Sequence, residues 1–163
     1  MRDKVIFLDV DGVLNSEKYH VALHQRILNK ELSEDDLKFD HTLLAVDPQA
    51  VKLLNRITTE TRAKIILSST WRSGKNLVEL RDLFNLWGIT GACIGRTQDY
   101  RGRKRGYEIE EVLEHLSDRI DKWCIIDDDD DMLDNQQDHF FRTNWEVGLT
   151  EELTNKIINY LNS

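Results

Sequence analysis

The chain has 163 residues, 40% of them hydrophobic, and 30 acidic against 22 basic side chains give a formal net charge of −8. That length supports one compact domain, residues 1–163, with a core that needs neither disulfides nor a structural metal. The acidic balance works against non-specific attraction to polyphosphate, so an anionic substrate must meet locally basic ground.

The apolar runs Val5-Ile6-Phe7-Leu8 and Ile65-Ile66-Leu67 are too short to span a bilayer, and Met1-Arg2-Asp3-Lys4 leads into a strand instead of a signal peptide's apolar segment. A cytoplasmic protein with no membrane partner is expected. The two cysteines, Cys93 and Cys124, lie in apolar stretches and read as reduced, buried thiols.

Lys4 to Leu8 is a β-branched and aromatic run that stops at Asp9-Val10-Asp11-Gly12, the pattern of a buried strand ending in a turn. From Asn15 to about Ala45 the pattern is polar and weakly periodic, with a helix over Lys18 to Leu28 and acidic residues at Glu34-Asp35-Asp36, which reads as a small cap-like insertion. Asp47 before Pro48 places an N-cap and a first-turn proline, and Ala50, Val51, Leu53, Leu54 and Ile57 continue an amphipathic helix to about Glu60. Lys64 to Leu67 is a second buried strand ending in Ser68-Ser69-Thr70; Leu77, Leu80, Leu83, Phe84 and Trp87 then form a helical face closed by Gly88. A short strand over Ile89 to Ile94, a helix over Tyr107 to Leu116, a strand over Trp123 to Ile126 and a capped helix from Thr150 to Leu161 complete the order.

This alternation predicts an α/β fold: a Rossmann-like three-layer α/β/α sandwich with a mainly parallel central sheet. Ligands of such sheets bind beyond the carboxyl ends of the strands, where three polar clusters fall. Asp9 and Asp11, two apart beyond a strand, face the same side in extended geometry, and Gly12 permits the turn after them. Ionised carboxylates this close repel one another, and a divalent cation relieves the repulsion. Asp127 to Asp131 add more carboxylates at another strand end; all-oxygen ligation suits Mg²⁺. Basic ground lies between Arg96 and Arg105, where Arg96, Arg101, Arg103, Lys104 and Arg105 cluster around Gly102.

Other readings fit less well. No G-x-x-x-x-G-K-[ST] accompanies the strand Ile125-Ile126-Asp127-Asp128, and strand two ends in Ser68 where a phosphoacceptor receiver domain would carry an aspartate. His20 and His24, four apart, lack a third ligand and read as a solvated helix face, and the four tryptophans read as core or rim packing.

Asp9-Val10-Asp11-Gly12-Val13 after an apolar strand resembles the first motif of haloacid dehalogenase (HAD) superfamily phosphatases, D-x-D-x-[TV]. Ile65-Ile66-Leu67-Ser68 resembles their second motif, Lys104 or Arg105 ahead of a helix their third, and Ile125-Ile126-Asp127-Asp128 their acidic fourth. Ser68-Ser69-Thr70-Trp71-Arg72 and Gly148-Leu149-Thr150 resemble a compact subfamily of bacterial and phage proteins that includes RNA-repair assemblies.

The resemblance implies a Mg²⁺-dependent phosphomonoester hydrolase. Asp9 would attack phosphorus to form an aspartyl-phosphate, and Asp11 would protonate the leaving oxygen and then activate water. Ser68 and Arg105 would hold the phosphoryl oxygens, with Ser69, Arg72 and Lys104 as further substrate contacts. Mg²⁺ would sit on the Asp9 carboxylate, the Asp11 carbonyl and Asp128, with Asp127 or Asp131 in support; the aspartate run leaves the ligating position open. The short insertion admits bulky phosphates, so the expected partner is a phosphorylated small molecule or nucleic-acid end. The alternative is a non-catalytic acidic metal-binding module on the same fold.

Overall fold

The computed structural model describes residues 2–32, 42–100 and 102–163. The expected strand-helix alternation is present. Strand β1 spans Asp3–Leu8, followed by helix α1 (Glu17–Leu28), helix α2 (Pro48–Thr61), β2 (Lys64–Leu67), helix α3 (Leu77–Trp87), β3 (Cys93–Arg96), helix α4 (Arg105–Leu116), β4 (Ile120–Asp127), β5 (Phe140–Arg142) and helix α5 (Glu151–Asn162). Short 3-10 turns lie at Leu43–Ala45, Thr70–Arg72 and Asp134–His139.

The five strands form one sheet in the order β3-β2-β1-β4-β5, and every pairing is parallel. Alternation along β1 divides the core. Ile6 and Leu8 face a large cluster with Val51, Leu54 and Ile57 of α2, Leu80, Phe84 and Trp87 of α3, and Ile157, Ile158 and Leu161 of α5. Val5 and Phe7 face the opposite side, where Ile109, Val112 and Leu113 of α4 close a smaller cluster with Ile66 and Ile125. Each such buried aliphatic side chain stabilises the fold by roughly 1.5–3 kcal/mol. The result is three layers, with α2, α3 and α5 on one face and α4 on the other.

Helix ends follow local chemistry. Asp47 Oδ1 accepts the Gln49 N–H at 2.8 Å ahead of Pro48. Asn76 and Glu79 form a reciprocal capping box at the start of α3, which Gly88 closes in the left-handed conformation.

Several boundaries differ from the sequence reading; β4, expected over Trp123 to Ile126, runs from Ile120 to Asp127. The strand expected over Ile89 to Ile94 pairs only over Cys93–Arg96. A Cβ on Gly91 would lie 2.7 Å from Thr58 Cγ2 and 2.8 Å from Ile65 Cδ1, so the chain is pressed across the sheet here before it can run alongside β2. Helix α4 starts at Arg105, two residues before the expected Tyr107. Strand β5, unforeseen, is three residues long and only partly buried, too short to impose a period of its own.

Of the expected insertion over about 15–45, residues 33–41 lie outside the described residues, Glu34-Asp35-Asp36 among them. The described part holds α1, which buries no residue. Tyr19 Oη donates to the Leu44 carbonyl at 3.0 Å, tying α1 to the far end of the insertion.

Candidate active site

The chain runs outward from β1 to β2 and β3, then returns to β4 on the other side of β1, so its direction across the sheet reverses between β1 and β4. That is where α/β sheets open a crevice for ligands. The pairing continues past the strand ends: Asp9 N–H donates to Ile126 O (2.9 Å), Ser68 N–H to Leu8 O (2.8 Å), Thr97 N–H to Leu67 O (3.0 Å) and Thr143 N–H to Asp127 O (2.9 Å). The polar residues at the strand ends are therefore held in line by the backbone.

At the crevice, carboxylate oxygens of Asp9, Asp127 and Asp128 all lie within 4.8 Å of one another. Asp9 is 6% and Asp127 1% exposed. Burial raises the Asp9 carboxyl to about 6, against the opposing pull of the Arg105 guanidinium and a hydrogen bond from Ser69. Burial and then the neighbouring Asp9 raise Asp127 to about 8. Asp128, half-buried, is also raised, by burial first. Asp127 Oδ1 accepts the Asp129 N–H at 3.0 Å. Its Oδ2 is buried without a hydrogen-bond partner among the described residues and has only Arg105 Nε at 3.9 Å, too long for a hydrogen bond. A buried acidic cluster with an open lone pair and one incomplete counter-charge fits a hard divalent cation.

The aspartate run separates by position. Asp127 ends β4 and points inward, and Asp128 lies over Gly12. Gly12 is at φ +72°, and a Cβ there would come within 2.3 Å of Asp128 Oδ2. Asp129 and Asp130 are exposed, and Asp130 pairs with Arg142 Nη1 at 3.1 Å. Asp131, expected as a supporting metal ligand, stands outside the three-carboxylate cluster: its Oδ2 accepts the Arg105 backbone N–H at 2.8 Å, its carbonyl accepts from Gly106 N–H at 3.3 Å, and its Oδ1 is buried without a partner among the described residues. Gln136 completes this bracket by donating to Gly106 O at 2.8 Å. The carboxylate at the helix N-terminus explains why α4 begins at Arg105.

Of the two candidate cations before α4, Arg105 lies at the cluster. Its guanidinium also donates to the Ser68 carbonyl. Lys104 is exposed at the N-cap position. The two serines also differ. Ser69 sits beside Asp9 and draws its carboxyl down, whereas the fully buried Ser68 hydroxyl lies 3.5 Å from Thr97 Oγ1. Ser68 thus offers the site its backbone, and Ser69 its hydroxyl.

Arg72 is 2% exposed and forms a buried ion pair with Glu108 of α4 at 2.7 Å. Its Nη2 also donates to Gln98 O at 3.0 Å. Its Nε and Nη1 are buried without partners among the described residues. Glu108 carried no sequence signal, because its partner is on another element.

Asp11 is exposed, and its carboxylate stands outside the three-carboxylate cluster. It accepts hydrogen bonds from Asn15 Nδ2 at 2.8 Å and from Trp71 Nε1 at 3.3 and 3.2 Å to its two oxygens. Sequence reasoning missed Asn15 and took Trp71 for packing. His20 and His24 do not enter the cluster, Cys93 and Cys124 are free and buried, and no described helix is long and apolar enough to cross a membrane.

The arrangement presents a buried carboxylate, two further carboxylates beside it that could share a cation, a guanidinium and a fourth, exposed carboxylate, a set suited to displacement at phosphorus. No curated protein and no solved structure matches the chain. Residues 5–154 match the family described as the HAD domain in Swiss Army Knife RNA repair proteins, and with nearly its whole length so covered, the chain belongs to that family.

Proposed function

We propose that this chain, as a single domain of residues 1–163, is a Mg²⁺-dependent phosphomonoester hydrolase that works through an aspartyl-phosphate on Asp9. Family membership supports the coarser statement that it is a phosphatase-like HAD hydrolase. The observation that carries the finer one is the convergence of Asp9, Asp127 and Asp128 within 4.8 Å, with Arg105 beside them.

In this reading, an Asp9 carboxylate oxygen attacks phosphorus as the bond to the leaving oxygen breaks, and the leaving oxygen takes a proton from Asp11. Water then attacks the aspartyl-phosphate and gives a proton to Asp11; the phosphorus–oxygen bond to Asp9 breaks, freeing inorganic phosphate. Two easier displacements replace one hard one. Asp9, Asp127 and Asp128 would hold Mg²⁺, which when bound offsets the repulsion between anionic nucleophile and anionic substrate. Arg105, the Ser69 hydroxyl and the backbone at Ser68 hold the phosphoryl oxygens. The unpartnered Nε and Nη1 of Arg72 are suited to the same task, with Lys104 a peripheral contact.

For substrate we propose a nucleotide or nucleic-acid end. The family is described from RNA repair proteins, and Arg96 at the end of β3 and Arg103 and Lys104 on the loop leading to Arg105 are exposed. The chain's two buried free thiols fit a reducing cytoplasm.

The test is hydrolysis of an aryl phosphate by the purified chain, with and without Mg²⁺, beside Asp9→Asn. Activity that needs both Mg²⁺ and Asp9 supports the reading, and 5′- and 3′-phosphorylated RNA, DNA and metabolites then define the substrate. Retained Mg²⁺ binding without turnover of any of these replaces it with an acidic metal-binding module.

A further inference from the structure

The second aspartate of the site is gripped by two uncharged donors, and each is itself fixed from more than one side. Asn15 is 6% exposed. Its Oδ1 accepts the Gly12 N–H at 2.9 Å, while its Nδ2 donates to Asp11 at 2.8 Å and to Ala45 O at 3.1 Å, so its amide has one orientation. Trp71 comes from the 3-10 turn after β2, whose N-cap is Ser69 and whose last residue, Arg72, is locked onto Glu108. The Trp71 ring meets Trp87 of α3 edge-on at 5.1 Å, and Trp87 Nε1 donates to Thr42 O at 2.6 Å. The indole N–H then spans both Asp11 oxygens at 3.2 and 3.3 Å. A surface carboxylate would ordinarily sample several rotamers; this one is held from two sides by neighbours anchored in the core.

We propose that Trp71 is a positioning residue which, with Asn15, holds the Asp11 carboxylate where it serves the oxygen leaving phosphorus. The proposal rests on the phosphatase reading above and adds what sets the reach toward poor leaving groups. An ester whose alcohol departs as a stable phenolate needs no proton in the displacement, whereas an alkyl ester, such as a ribose phosphate, needs one from a carboxyl in register. Trp71 therefore matters for the second kind and little for the first.

Trp71→Phe keeps the ring against Trp87 and removes only the donor. With the full chain and Mg²⁺, kcat/KM would be measured for dinitrophenyl phosphate and for a ribose phosphate, because that ratio reports the first displacement. We expect a loss of about 10²-fold on the ribose ester, as misplacing a catalytic group costs, and under about 3-fold on the dinitrophenyl ester, where no proton is needed. Asp11→Asn should show the same split, and adding Trp71→Phe to it should cost nothing more on the ribose ester. Unchanged thermal unfolding of Trp71→Phe shows that the fold is intact. Equal losses on both esters, or no loss on either, overturn the proposal while leaving the phosphatase reading in place. Hydrolysis of neither ester by the unaltered chain overturns the phosphatase reading and the proposal with it.

Discussion

The carboxyl ends of β1 and β4 carry the same side chain and treat it differently. After β1, two aspartates divide the work by burial: Asp9 is enclosed, while Asp11 is exposed and held by Asn15 and Trp71. From the last residue of β4 onward, five consecutive aspartates spread over three environments: Asp127 and Asp128 join Asp9, Asp129 and Asp130 face solvent, and Asp131 caps α4. A run of one residue type thus carries several roles. What separates them is the distance of each backbone position from the sheet and what stands opposite, so identical substitutions along the run should have widely different effects.

The largest effect is expected from Asp9→Asn, which preserves shape but removes the proposed nucleophile; aryl phosphatase activity should fall by roughly 10³-fold or more. Next come Asp127→Asn and Asp128→Asn, which should raise the Mg²⁺ concentration for half-maximal activity by at least about 10-fold as a proposed ligand is lost. Asp129→Asn and Asp130→Asn should stay within about 2-fold in the same titration, since exposed positions contribute little. If all four behave alike, the separation within the run is wrong.

Stability against pH sharpens the contrast further. Asp9 and Asp127 titrate in the fold at about 6 and about 8, above the ordinary 3.8. The folded protein therefore binds more protons than the unfolded chain between these values, and the stability from protonated carboxyls, present below about pH 4, is lost as pH rises through 6 and 8. Metal-free protein in EDTA should lose thermal stability over pH 4–8 by more than Asp127→Asn, which lacks the most strongly shifted group. Mg²⁺, which favours the ionised carboxylates, should raise Tm more at pH 8 than at pH 5. Asp131→Asn is expected to act on stability instead, with a loss of about 1 kcal/mol from the α4 N-terminus in a urea titration and the Mg²⁺ requirement unchanged.

Much of this was legible in the sequence. Long apolar runs such as Val5 to Leu8 mark strands buried on both faces, and Asp47-Pro48 and Gly88 announce their helix ends by local chemistry. The strand-end positions of Asp9, Ser68 and Asp127 followed from those strands. What stayed hidden depends on contacts distant in sequence. Arg72 and Glu108 are 36 residues apart, Trp71 and Asp11 are 60, and the start of α4 is set by Asp131, 26 residues beyond Arg105. Strand β3 was misplaced because its pairing residues include Gly95 and Arg96, poor strand formers that the edge of β2 nonetheless recruits.

The bracket between Asp131 and the first turn of α4 has a consequence for how the site fluctuates. Two backbone amides, those of Arg105 and Gly106, are bonded into the loop that follows β4. An excursion that lifts the guanidinium away from Asp127 by unwinding that turn must therefore also disrupt the loop carrying the acidic residues. Positive and negative charges open and close as one cooperative unit, and in hydrogen exchange the Arg105 and Gly106 amides belong with the end of the sheet instead of fraying with a free helix terminus.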